Sequence, residues 1–414
     1  MKMPVLTLKR GMRLTFWQGV FALILAAGLY STYVRFFHGL GAVANMNDTF
    51  PWGIWVSFDI LCGVGLAAGG FTMAAVTHIF HIKKFEPIIR PAILTAFLGY
   101  LLVIFGLMYD LGQPWDIWHP MVMWNPSSVM FEVSWCVMLY TTVLALEFSP
   151  VVFEKFRMEK PLRIIRNITV PLVILGVMFS TLHQSSLGAM FLIAKEKMYP
   201  LFYSPMLPLN FFVSSVAVGF AMVIFESYLS ARAFKKQLET PLLMDLARIV
   251  VFMLALVLVL RLQDLGRSGS WDLLFLNRPE TYFFWGELLI GVMIPMVLLA
   301  FRKVRMNEFA LFSSVVMVIL GFIANRFNVA MISMESHLGG FYVPSWMELS
   351  ITIMIVALGF FAFRQVVKHF HIFHEPEMPE VPYRKPIPVV VMKHRTGISP
   401  KAATEASHGN LRHA

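Results

Sequence analysis

Ten stretches of the chain are apolar over about 20 residues each, the length a helix needs to cross the ~30 Å hydrocarbon layer of a bilayer. Backbone polar groups in hydrocarbon must be satisfied within the spanning structure, so continuous apolar runs of this length select membrane-spanning helices. The expected spans lie near 15–37, 52–80, 90–112, 128–149, 168–189, 208–231, 246–266, 281–301, 308–330 and 346–367. With 58% hydrophobic and 14% charged residues, against roughly 25% charged in soluble domains, a soluble fold is excluded. The first span follows Lys9, Arg10 and Arg13, but its run is long and no small-residue cleavage site stands out, so it reads as an uncleaved helix.

Acidic residues recur in two matching sets about 154 residues apart. The first is Asp110-Leu111-Gly112, Trp115-Asp116 and Glu132; the second is Asp264-Leu265-Gly266, Trp271-Asp272 and Glu287. An ionisable side chain inside a membrane costs about 2.5–3.5 kcal/mol even on insertion scales, and it normally faces a bundle interior or a wet cavity. Two copies of so costly a pattern imply a duplicated unit.

Basic residues set the orientation. They concentrate in the N-terminal segment, the loops near 82–90, 155–166, 232–248 and 302–305, and the tail from Lys368, whereas the opposite loops hold only Lys195, Lys197, Arg267 and Arg278. The positive-inside rule then places both termini in the cytoplasm. The net charge of +10 is a topology signal and a possible attraction to anionic lipid; nucleic acid is the poorer explanation.

In that orientation Asp59, Asp110, Glu132, His183, Gln184, Asp264, Glu287, Arg326 and Glu348 fall in the outer half of the membrane, with Glu147 and Glu226 further in. Arg261 lies one helical turn from Asp264 and is placed to neutralise it or its neighbours. Glu132, Glu147, Glu226, Arg261, Asp264 and Glu287 are candidate proton carriers; each also has a plain reading as a helix-end group or counter-ion. The asymmetry points to a site opening toward the outer face.

His183 is the one histidine well inside a span, and it opens the polar run His183-Gln184-Ser185-Ser186. A quinone needs donors to its carbonyl oxygens and a proton carrier in an apolar pocket, and histidine supplies both functions. The alternative is a core histidine bonding to a neighbouring helix. Bis-histidine haem ligation needs a facing histidine at the same depth, which the pattern lacks, so no haem is expected. Cys62 and Cys136 lie in separate spans without metal-ligand spacing, so no iron–sulfur cluster in this chain and no other metal site are expected either.

The segments Phe50-Pro51-Trp52-Gly53-Ile54-Trp55, Phe58-Asp59, Gly63 to Gly70, Phe131-Glu132, Ala145-Leu146-Glu147-Phe148 and His183 to Gly188 together resemble the NrfD/PsrC family of polysulfide reductase membrane subunits. HybB-type hydrogenase subunits and QrcD-type quinone reductase subunits are the most similar branches. The resemblance runs from about residue 15 to 367. It implies an all-α integral membrane protein: two four-helix bundles, spans 2–5 and 6–9, with flanking helices 1 and 10. It further implies a haem-free, quinone-reactive subunit of a respiratory complex in a bacterial inner membrane, with menaquinone the expected quinone. Implied partners are a periplasmic ferredoxin-type iron–sulfur subunit and a catalytic subunit such as a hydrogenase, a molybdopterin-type protein or a multihaem cytochrome c. Family quinone pockets in the first bundle map onto Trp55, Asp59 and His183; Gln184 and Asp110 join them by position, with Asp59 and His183 as the catalytic pair.

The expected organisation is a cytoplasmic N-terminus (1–14), a flanking helix with its loop (15–51), a first bundle with the quinone site (52–190), a second bundle (191–330), a last flanking helix (331–370) and a cytoplasmic Pro-rich basic tail (371–414). Rival readings are a secondary transporter or ion channel, since repeats with intramembrane acids also occur there, and a passive anchor for an outer-face enzyme. The sequence shows no evident pair of Gly/Pro-interrupted half-helices in matching positions.

Overall fold

The computed structural model describes residues 16–47, 50, 52–338 and 342–373. The basic N-terminal segment, Pro51 and the tail from His374 lie outside the described residues. Among the described residues ten helices have the length and apolarity to cross a membrane: Phe16–His38, Trp55–Ile79, Lys83–Asp110, Val129–Lys155, Thr169–Lys197, Leu207–Phe234, Thr240–Ser268, Pro279–Ala300, Glu308–Glu335 and Trp346–His369, here spans 1 to 10. Each matches an expected apolar run. Spans 5 and 9 run longer than their cores of apolar residues, because a 3₁₀ segment, Phe191–Lys197, extends the former and a short helix, Ser333–Leu338, continues the latter.

Spans 2–5 and 6–9 form the two four-helix bundles, and spans 1 and 10 pack on each other at the side. The flanking pair is joined by a hydrogen bond between the hydroxyls of Ser31 and Ser350 at 2.7 Å. It meets the first bundle where Gly359 of span 10 takes the side chain of Leu102; a Cβ on that glycine would stand 2.5 Å from Leu102 Cδ1.

Without a hydrophobic force between helices in lipid, close backbone packing carries much of the association. Small residues supply it at the seam between bundles. A Cβ on Gly219 of span 6 would lie 2.9 Å from the Ala68 backbone of span 2, and one on Gly65 would run into the Phe322 ring of span 9 at 2.1 Å. Span 2 is therefore the central helix, and its run of small residues from Gly63 to Gly70 has a packing reason. Within the second bundle, spans 8 and 9 cross at Gly291 and Gly321, where a Cβ on the former would be 2.3 Å from the latter's Cα.

The helical winding is irregular at defined places. Trp55–Cys62, Ala75–Ile79, Glu287–Met293 and Asn328–Ile332 are π-wound, and span 2 is broken between Leu66 and Gly69. Such π segments re-aim the side chains that follow them and concentrate at functional positions. The break in span 2 has no counterpart in span 6, its repeat partner, which is continuous from Leu207 to Phe234.

At one end of the bundles Arg90 and Arg166 both reach Glu154 at 3.0 Å. At the opposite end span 3 closes on Asp110. These are called below the Arg90 end and the Asp110 end.

Candidate functional site

The sequence-derived site residues fall into three groups. The first lies at the Asp110 end, between the beginning of span 2 and the flanking helices. Trp55 is fully buried beside Tyr109, ring centroids 6.2 Å apart, and its indole N–H meets no hydrogen-bond partner among the described residues. Asp59 follows on the same π-wound segment, buried, with its carboxylate accepting from Thr352 Oγ1 at 2.7 Å. Gly106 of span 3 makes room for it: a Cβ there would be 2.8 Å from Asp59 Cβ.

Asp110 lies within electrostatic reach of Asp59, Arg35 and Glu348. Arg35, buried on span 1, spends its guanidinium on the unsatisfied carbonyls that end span 3, donating to Tyr109 O at 2.7 Å and to Leu111 O. Glu348, the N3 residue of a capping box begun by Ser345, is fully buried; it accepts from the backbone of Ser345 at 2.7 Å and Asn45 at 3.1 Å, and from the Tyr342 hydroxyl. Tyr342 also accepts from Ile54 N–H at 3.2 Å, and burial, followed by the neighbouring Glu348 carboxylate, pushes its phenol above the usual tyrosine range.

The second group is the interior of the first bundle. His183 is fully buried against Tyr100, ring centroids 5.8 Å apart, and Tyr100 meets Tyr140 edge-on at 4.7 Å. Both ring nitrogens of His183 lack partners among the described residues, and the hydroxyls of Tyr100, Tyr140 and Ser180 converge beside it without a well-formed hydrogen bond between them. Glu147 lies further toward the Arg90 end, its carboxylate 3.5 Å from where Gly176 would carry a Cβ. Glu226, on span 6, is close to Thr95. The structure places Asp59 against Gly106 of span 3 and Thr352 of span 10, and the ring of His183 against Tyr100 of span 3.

Gln184 points elsewhere again, since successive helical residues are rotated by about 100°. It donates to Val64 O at 3.2 Å and accepts from Ser215 Oγ at 2.7 Å, stitching spans 2, 5 and 6 at the seam.

That seam leads into the third group, in the second bundle. Arg326 is fully buried, sandwiched over Phe211 and Phe322 at 3.7 and 4.3 Å, and donates to Ser214, Ser215, Phe211 O and Asn325 Oδ1. Asn325 in turn donates to Glu287 at 2.8 Å, as do Asn328 at 2.8 Å and Arg261 at 2.9 Å. Asp264 accepts from Asn210 at 2.6 Å. A cavity of about 40 Å³ bounded by Asn210, Ser214, Arg261, Glu287 and Asn325 lies in this bundle, space for a few waters at about 10–15 Å³ each. Glu132, the repeat counterpart of Glu287, is instead exposed in the first turn of span 4, behind the Ser128 cap.

Residues 42–334 match the family described as "Polysulphide reductase, NrfD". The chain belongs to the NrfD family. Among relatives, the probable Ni/Fe-hydrogenase 2 b-type cytochrome subunit of Escherichia coli (strain K12) is 32% identical, over 81% of this chain and 86% of that protein. The menaquinone reductase integral membrane subunit of Nitratidesulfovibrio vulgaris (strain Hildenborough) is 27% identical, over 82% and 87%. The Hdr-like menaquinol oxidoreductase integral membrane subunit of Archaeoglobus fulgidus is 25% identical, over 87% and 94%. As an NrfD-family protein the chain has the ten-span architecture its sequence implied.

Several residues of these groups escaped the sequence reading. Tyr100, Tyr140 and Thr352 carry one polar atom on a body that passes as ordinary core, so nothing in the pattern marks them. Asn325 and Asn328 did carry a signal, since with the already noted Arg326 they form a polar run within a span like that at His183.

Proposed function

We propose that this NrfD-family chain is the quinone-reactive membrane subunit of a multi-subunit oxidoreductase. It exchanges electrons between an iron–sulfur partner docked at the Asp110 end and a quinone, menaquinone by analogy with the menaquinone reductase and menaquinol oxidoreductase subunits among its relatives. The observation that carries this reading is the Trp55–Asp59 pair: a buried indole N–H with no partner, and four residues on, a buried carboxylate with a single hydroxyl partner. A quinone carbonyl accepts from an N–H, and a quinol giving up two electrons must also release two protons, for which a buried carboxylate is a suitable first acceptor. In this reading the Asp110 end is the outer face and the termini are cytoplasmic, which the distribution of basic residues supports, and the membrane is a bacterial inner membrane by the family resemblance.

His183, with two unpartnered nitrogens beside two phenols, is read as a proton-exchanging station between the Trp55–Asp59 pair and the deeper Glu147 and Glu226. The donors around it are phenols and a serine, a set that does not fit haem, so the site is read as haem-free although one relative's name includes a b-type cytochrome. Gln184 is then a support of the bundle seam and the Arg261–Glu287 network a support of the second bundle's interior; proton movement through the second bundle is tested by proton stoichiometry in liposomes.

A second reading, ion translocation, is favoured by the cavity in the second bundle, where Asn210, Arg261, Glu287 and Asn325 stand among mostly apolar lining side chains. The deciding experiment is fluorescence titration of a quinone-analogue inhibitor into the purified complex, alongside turnover with a soluble menaquinone analogue. Trp55→Phe and Asp59→Asn should lose binding or turnover with the partner subunits still assembled. Wild-type behaviour in both moves the quinone away from them, loss in His183→Ala alone moves it to His183, and ion uptake by a complex without quinone turnover favours the second reading.

A further inference from the structure

The carboxylate proposed to receive the quinol proton is not held by its own bundle. Its one hydrogen bond comes from Thr352 on span 10, a flanking helix outside both repeats and beyond residue 334, where the family match ends. Thr352 is buried and lies one helical turn after Glu348, so the two share a face of span 10 turned toward the beginning of span 2. Beside them Ile351 and Ile355 pack in one apolar cluster with Trp55 and Tyr109.

That face is fixed at two levels. Glu348 ties the cap of span 10 to Asn45 before span 2 and, through Tyr342, to Ile54 beside Trp55. Thr352 comes next, on Asp59. The hydroxyl donating to Asp59 therefore belongs to a helix anchored one turn above the contact, which fixes the carboxylate's orientation. Asp110 of span 3 is the charged neighbour of Asp59, and Asp110 in turn lies near Arg35 of span 1, which is occupied by backbone carbonyls, and Glu348 of span 10.

We infer that Thr352 is a positioning residue for proton transfer at the quinone site: it aims the Asp59 carboxylate, and through it the flanking helix becomes part of the site. The inference rests on the reading of Asp59 above. A hydrogen bond to an ionised group contributes more than a neutral one, and its loss inside a membrane is not made good by water.

The test compares Thr352→Val, Thr352→Ser and Ser350→Ala in the intact complex, with Asp59→Asn alongside. Val keeps the shape and removes the donor; Ser keeps the donor; Ser350→Ala removes a hydrogen bond of the same helix that does not touch Asp59. Thr352→Val should lower kcat for the soluble menaquinone analogue about tenfold or more, with KM and inhibitor binding near wild type. Thr352→Ser should restore kcat, and Ser350→Ala should turn over like wild type. Equal losses in Val and Ser that track melting temperature would make Thr352 a packing residue and overturn the inference. Wild-type kinetics in Thr352→Val together with an inactive Asp59→Asn would overturn it while leaving the quinone site in place. A fully active Asp59→Asn would remove the underlying reading as well. Should the Val variant fail to assemble, Thr352→Ala removes the same hydroxyl and is read by the same kcat and KM.

Discussion

Arg261 and Glu287 face each other at 2.9 Å in the interior of the second bundle, each only 6% exposed. Both oxygens of the carboxylate are engaged, because Asn325 and Asn328 donate to it as well. A buried pair adds little over an apolar one, yet removing one partner leaves the other charge uncompensated, at about 3–5 kcal/mol.

Glu287→Ala should therefore melt the detergent-solubilised complex at markedly lower temperature, a loss of about 3–5 kcal/mol. Glu132→Ala, its counterpart in the repeat, is exposed and should lie within about 0.5 kcal/mol of wild type. Intrinsic-fluorescence melting of the two variants side by side checks this; equal effects would show that the repeat carries one role in both copies.

How much was legible in the sequence follows from which physical demand each feature answers. The ten spans could be read because hydrocarbon thickness fixes the apolar run length, and the duplication because Asp110-Leu111-Gly112 recurs as Asp264-Leu265-Gly266. The contrast between Glu132 and Glu287 depends on where each helix begins. Span 4 starts at Val129, three residues before its glutamate, whereas span 8 starts at Pro279, two turns before. The facing of Asp59 was hidden for a different reason. A π-wound stretch from Trp55 to Cys62 shifts the helical phase, and no residue pattern there announces it. The depth of Asp59 could thus be counted, but its partner on span 10 could not.

The crossing of spans 8 and 9 makes a sharp steric prediction. Gly291 and Gly321 leave no room for a side chain on either, whereas Gly286, earlier on span 8, has open space around its missing Cβ. Gly291→Val should force the spans apart and cost about 1–3 kcal/mol or more, seen as low yield of assembled complex. Gly286→Ala should be neutral to stabilising, since alanine loses less backbone freedom in a helix by about 0.5–1 kcal/mol. Equal yields of both variants would contradict the close crossing.

Gln184 and Ser215 join the bundles through one hydrogen bond of 2.7 Å. A double-mutant cycle with Gln184→Met and Ser215→Ala should return a coupling of about 0.6–1.7 kcal/mol, the range found for interhelical hydrogen bonds in membranes. The same cycle with Thr142→Ala, whose hydroxyl bonds only to Met138 O of its own helix, should return none. A vanishing Gln184–Ser215 coupling in unfolding measurements would detach the seam from this contact.

Tyr342 links the loop before span 10 to the start of span 2, donating to Glu348 and accepting from Ile54 N–H. Burial and the adjacent carboxylate both favour its neutral form, so its folded-state pKa stands above the unfolded value of about 10. A group raised in this way contributes stability that is fully present below the unfolded pKa and is lost as pH climbs through the folded one. The wild-type complex should accordingly lose stability above about pH 10, as the unfolded chain releases the phenolic proton that the folded chain retains. Tyr342→Phe cannot ionise and gives up both hydrogen bonds, so it should be less stable than wild type at neutral pH and show a shallower alkaline decline. Parallel melting curves for the two proteins across the alkaline range would mean that Tyr342 is not the group that links this loop to pH.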